Sequence, residues 1–148
     1  MPADVLVIGY GNTLRGDDGL GPAVAADVAR LGWPGVRVKV VHQLTPELAA
    51  DLADARRVVF VDAAIGGEPV TAVRIETRPA GDVMSHAADP RGLLTLCGAV
   101  YGTTPDAWLV TVAGADFDFR DGLSPTAREN ARAAQSSVEA LIREASCA

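Results

Sequence analysis

Three short segments of this 148-residue chain carry the groups that could do chemistry. The first is a glycine-rich stretch, Gly9-Tyr10-Gly11-Asn12-Thr13-Leu14-Arg15-Gly16-Asp17-Asp18-Gly19-Leu20-Gly21, with two adjacent carboxylates. The second is Asp62-Ala63-Ala64, which follows the most continuously apolar run, and the third is Ser85-His86, just ahead of a helix-like segment. Asp18, Asp62 and His86 would together offer two carboxylates and one imidazole. That set suits a borderline divalent ion such as nickel or zinc and leaves positions open for water or a substrate atom. Each residue also has a plain structural reading. Asp17 and Asp18 precede a helix and could serve only its positive end. Asp62 closes a buried strand, where a carboxylate must find partners or cost free energy. A lone histidine such as His86 is commonly a surface or satisfied core residue. The three together carry more weight than any one of them.

Other chemistries find less support. Gly9-x-Gly11 after a first strand suggests dinucleotide binding, but Leu14 stands at the third glycine position and no acidic residue closely follows the second strand. An Asp-Asp pair there would also repel a pyrophosphate. The glycines are better explained by positive φ and close backbone approach. No Gly-x-Ser-x-Gly elbow and no His-Glu-x-x-His helix is present. Cys97 lies in an apolar helical run, and His42 follows the second strand with little to recommend it as a ligand.

The elements that must position these groups alternate along the chain. Residues 5–9, 36–41, 58–61, 70–76 and 107–112 read as strands, the third the most apolar, as a buried parallel strand should be. The 36–41 run alternates apolar and basic residues, as for an exposed face or sheet edge. Pro22 marks the first helix, and Thr45-Pro46, Asp89-Pro90 and Ser124-Pro125 are three cap-plus-proline helix starts. The expected fold is an α/β three-layer domain, its mainly parallel twisted sheet of about five strands flanked by helices. Ligands of such sheets bind beyond the carboxyl ends of the strands, where the three segments fall.

Bulk properties bound the reading. Residues 1–148 are expected to form one domain, since a chain of this size buries roughly two-thirds of its unfolded surface without disulfides or structural metal. The formal net charge of −6, with no basic cluster, weighs against nucleic acid and anionic membrane surfaces. Cys97 and Cys147 lack paired spacing and read as reduced thiols. With an acidic residue near the N-terminus and no apolar run near about 18 residues, a cytoplasmic location without membrane insertion is expected. The segment 116–121 reads as a solvated connection.

Gly11-Asn12-Thr13-Leu14-Arg15-Gly16-Asp17-Asp18-Gly19-Leu20-Gly21 resembles the N-terminal signature of the hydrogenase maturation endopeptidases. The resemblance continues, in the family's order, through Thr45-Pro46-Glu47-Leu48, Val61-Asp62-Ala63, Ser85-His86, Leu93-Leu94 and Gly122-Leu123-Ser124-Pro125. It implies a metal site at Asp18, Asp62 and His86, the same three residues. The Asp18 position is glutamate in some members. The implied substrate is the precursor of a nickel–iron hydrogenase large subunit, which loses a C-terminal extension once nickel has been inserted. The nickel would be that of the precursor, although another divalent ion could occupy the site. Were the site instead to hold its own ion, polarising the scissile carbonyl or activating water, Asp17 or Asp62 could act as general base, with Asn12 and the N–H groups of the glycine loop, Gly11 and Gly19 included, contacting substrate and stabilising the oxyanion. The competing expectation is a non-proteolytic metal-binding chaperone or assembly scaffold on the same fold. A nucleotide-dependent oxidoreductase ranks third.

Overall fold

The computed structural model describes residues 4–79 and 87–147. Its strands are β1 (Val5–Tyr10), β2 (Val36–Val41), β3 (Arg57–Ile65), β4 (Val70–Ile75) and β5 (Asp106–Gly114). Its helices are α1 (Leu20–Arg30), α2 (Leu48–Ala53), α3 (Pro90–Tyr101) and α4 (Pro125–Cys147), with a 3-10 turn at Gly16–Gly19. The five strands form one sheet in the order β2-β1-β3-β5-β4. All neighbours are parallel except β4, which runs antiparallel to β5 at one edge.

Side chains that alternate along each strand build two cores. Val5, Val7, Val59, Val61, Val110 and Val112 meet α1 and α4 on one face. Leu6, Ile8, Val58, Phe60 and Ala107 meet α2 and α3 on the other. Both faces are covered, so β3 reads as an unbroken apolar run. Phe60 is fully buried, and its burial is worth about 2–3 kcal/mol. The outcome is the expected α/β three-layer fold with a mainly parallel sheet. β2 lies at the other edge, as its alternation of apolar and basic residues suggested.

Two helix starts form as expected. Asp89 accepts a hydrogen bond from the Gly92 N–H at 2.7 Å, with Pro90 at the first helical position. Ser124 Oγ accepts from the Ala127 N–H at 3.2 Å. The third does not. Residues 45–50 close i→i+3 bonds from Leu48, Ala49 and Ala50, so α2 begins only at Leu48, with Glu47 at the cap position and no side-chain cap. α1 begins at Leu20, two residues ahead of Pro22. A proline within the first turn costs no helical bond, because the first N–H groups have no intrahelical partner. Cys97 is buried, Cys147 is exposed, and both are free thiols.

Candidate active site

The site is built where one strand stops and its neighbours continue. β1 pairs with β3 as far as Gly9↔Val61, whereas β3 and β5 stay paired to Ile65↔Gly114. Asp62 is therefore not beyond its strand, as the sequence suggested. It lies inside β3, at the point where β1 has ended and no longer flanks it. By strand parity Asp62 shares a sheet face with Val58 and Phe60. Tyr10, the last residue of β1, shares the corresponding face with Leu6 and Ile8. The Tyr10 hydroxyl donates to Asp62 Oδ2 at 3.0 Å.

The glycine loop then brings Asp18 to the same place. A Cβ on Gly11 would fall on the Asp18 carbonyl oxygen, and Gly11 itself has φ +150°. A Cβ on Gly9 would fall on the Gly21 carbonyl, so these glycines let α1 and the loop close onto the end of β1. Within the loop the Asn12 N–H donates to Asp18 Oδ2 at 2.7 Å, and Asn12 Oδ1 accepts from the Leu14 N–H at 2.9 Å. The Gly11 N–H is bound to the Val41 carbonyl at 3.3 Å. The backbone N–H groups of Gly11 and Asn12, expected to meet substrate or an oxyanion, are thus spent on the sheet and on Asp18. The Asn12 N–H holds the acid in place. Gly19 is buried against Thr13.

Asp17 departs furthest from expectation. It is fully buried (0 % exposed) and both of its oxygens are engaged. Oδ2 accepts from the Ala115 N–H at 2.6 Å, the Asp116 N–H at 2.9 Å and the Ser124 hydroxyl at 2.7 Å. Oδ1 accepts from the Ser124 N–H at 2.8 Å. Burial by itself would raise this carboxyl. The N–H groups of Ser124 and Ala115, the Ser124 hydroxyl and the Asp116 N–H together outweigh that and hold it below the ordinary carboxylate range. A carboxylate with four donors and no solvent access is not placed to take a proton from water. Asp17 is a staple, not a base. It also changes the reading of residues 116–121: Arg120 pairs with Leu14 and Gly16 through backbone bonds of 3.0 and 2.9 Å, so this segment is tied to the glycine loop.

The remaining electrostatics converge on Tyr10 and Asp62. Burial raises the Asp62 carboxyl above its usual range, and the charge of Asp18 adds to that. Hydrogen bonds from Tyr10 and from the Ala63 backbone pull the other way without reversing it. The Tyr10 phenol is pushed well above its ordinary value, first by burial, then by Asp62, with smaller contributions from Asp89 and Asp18. It remains a protonated donor at any physiological pH. Asp89, which caps α3, is also held by Arg78 at 2.8 Å and brings the start of that helix to the same region. His86 and its neighbour Ser85 lie outside the described residues. Among the described residues no three His, Cys, Asp or Glu side chains group to hold a metal. What they supply is the pair Asp18 and Asp62. Two carboxylates close enough for the charge of Asp18 to act on Asp62 form a donor set that a divalent cation relieves.

Tyr10 escaped the sequence reading. The signal was its parity: it stands two residues beyond Ile8 on a strand whose alternate side chains face α2 and α3. His42 is exposed just past β2. An apolar groove of about 340 Å³, lined by Thr13, Gly16, Gly19, Ala23, Val40 and Leu123 among others, borders the same 3-10 turn that carries Asp18. Among the described residues no helix is long and apolar enough to cross a membrane.

No protein-family model matches the chain, and no curated protein matches it either. Solved structures do. The NiFe hydrogenase maturation protease HybD from Thermococcus kodakarensis superposes with a TM-score of 0.73 at 21% identity, covering 96% of this chain and 99% of that one. The hydrogenase maturating endopeptidase HybD from E. coli gives 0.69 at 23%, with 97% and 93% covered. A hydrogenase 2 maturation peptidase from Thaumarchaeota archaeon SCGC_AB-539-E09 gives 0.67 at 25%, with 93% and 97% covered. The chain shares the fold of the hydrogenase maturation proteases, the family its motifs resemble.

Proposed function

We propose that this chain is an endopeptidase that matures a hydrogenase by removing the C-terminal extension of a nickel-loaded large-subunit precursor. The observation that carries the reading is the convergence of Asp18 and Asp62. They come from two separate elements near the end of β1, the charge of Asp18 acts on the Asp62 carboxyl, and both lie in the fold of the maturation proteases.

In this reading the nickel belongs to the substrate. Asp18 and Asp62, with His86 as the third ligand, receive it as part of the precursor, so a precursor without nickel lacks the recognition group and is left uncut. Like-charge proximity in a partly buried site supports this, because the pair gains most when a cation arrives between them. Of the two groups considered as general base, Asp17 is consumed by its four donors. The apolar groove beside the 3-10 turn offers room for chain next to the cut. The reading places the protein in the cytoplasm, where its precursor is made.

The test is the mass of a hydrogenase large-subunit precursor after incubation with the protein, using nickel-loaded and nickel-free precursor. Asp18→Ala and Asp62→Ala variants run alongside. Loss of one defined C-terminal peptide, from the loaded form only and with the intact acid pair only, is the expected outcome. Cleavage of both forms would point to an ion resident in the site that polarises the scissile carbonyl. No cleavage by folded protein would leave the chaperone or scaffold reading.

A further inference from the structure

The Tyr10–Asp62 contact has no part in the reading above, yet it sits at its centre. We propose that Tyr10 is a positioning residue: its hydroxyl pins one oxygen of Asp62 and fixes the orientation in which that carboxylate meets nickel. The inference rests on the metal-recognition reading of the preceding subsection.

Both ends of the tyrosine are held. Its backbone lies between Gly9 and Gly11, and the backbone N and O of Tyr10 are so close to Gly21 that no Cβ would fit there. Its ring packs against the buried cluster of Leu6, Ile8 and Phe60 under α2 and α3. The hydroxyl therefore has a determined position, 3.0 Å from Asp62 Oδ2.

The consequence for Asp62 is rotational. A carboxylate turns about a broad, two-fold terminal torsion. Unpinned, Asp62 would have to be ordered by the incoming ion, and that ordering would be subtracted from affinity. Pinned, it is already ordered. Partners that hold a metal-binding carboxylate in this way are typically worth about 10- to 100-fold in affinity.

The experiment compares wild type with Tyr10→Phe, which keeps the ring and removes only the hydroxyl. Ni²⁺ is titrated calorimetrically into each protein alone, up to millimolar concentration. Melting temperature and the cleavage of nickel-loaded precursor are measured on the same preparations. At least a tenfold loss of Ni²⁺ affinity is expected, with KM raised, kcat unchanged, and a melting temperature within a few degrees of wild type. Equal Ni²⁺ affinities within twofold would overturn the inference, as would a fall in melting temperature alone, which marks a tyrosine that only supports the fold. Wild-type protein that cleaves precursor but takes up no Ni²⁺ would also overturn it, while leaving the peptidase standing. Wild-type protein that binds Ni²⁺ but cleaves nothing would sink the proposed function, and the two affinities would still decide the role of Tyr10.

Discussion

Asparagine at position 17 would keep the shape of the buried side chain and remove its charge. The native carboxylate accepts three donors at Oδ2 and one at Oδ1. An amide has only one acceptor oxygen. In its better orientation that oxygen faces the three donors, and its NH2 group confronts the Ser124 N–H. The Ser124 N–H and the amide's own N–H groups are then left without acceptors, and the former alone costs about 1–3 kcal/mol. The three surviving bonds lose their ionic partner, which costs roughly 1 kcal/mol each. Relaxation returns part of this, so Asp17→Asn should cost about 3–5 kcal/mol of the roughly 5–15 available. With a urea slope of about 1.5 kcal/mol per molar, the midpoint should fall by about 2–3 M. The effect should also depend on pH, with a definite sign. The folded-state carboxyl lies below its unfolded value, so Asp17 contributes its full ionic stabilisation above about pH 3.9. The contribution is lost as pH falls through the depressed folded value. The gap between wild type and variant should be widest near neutrality and narrow in acid. A loss below about 1 kcal/mol at pH 7, or a gap that widens in acid, would refute the staple.

Two further substitutions separate the site from the scaffold. Gly11→Ala places a Cβ on the Asp18 carbonyl and must displace the acid. Displacement of a positioned group by about 1 Å costs on the order of 100-fold, so kcat/KM for loaded precursor should fall by that much, and wild-type turnover would contradict the assigned loop geometry. Arg57→Ala acts at the opposite end of the sheet. Arg57 bonds Asp106 at 2.7 Å and the Leu141 carbonyl at 2.9 Å, and lies over the Trp108 ring. Its loss should cost about 2–3 kcal/mol in urea unfolding while cleavage by the folded variant stays unchanged. A cleavage defect at full folding would show the two ends to be coupled.

Much of this was legible in the sequence because local chemistry decided it. Asp89-Pro90 and Ser124-Pro125 start helices by capping, and β3 is apolar because helices cover both its faces. Where sequence reading missed, a long-range partner decided. Asp62 looked terminal because the apolar run stops at Val61, but β3 continues through Ile65 on its pairing with β5. Thr45-Pro46 carries the same letters as the working caps, yet i→i+3 turns take up the local bonds before α2 begins. Asp17 and Asp18 are neighbours of identical chemistry. What separates them is that the former reaches residues 115, 116 and 124, which no local window contains. Tyr10 required knowing that β1 lies beside β3. His86 remains an expectation from its motif.

The reach of Asp17 has a temporal consequence. Its partner Ser124 lies 107 positions further along the chain, and the backbone bond to Asp116 spans 99. During synthesis, at roughly 5–20 residues per second, the glycine loop emerges many seconds before anything can staple it. Until the first turn of α4 has left the ribosome, the loop that carries Asp18 lacks the Ser124 anchor of its neighbour Asp17. The staple on the glycine loop can therefore close only after most of the chain has been made. A partly made chain would carry the motif without the activity.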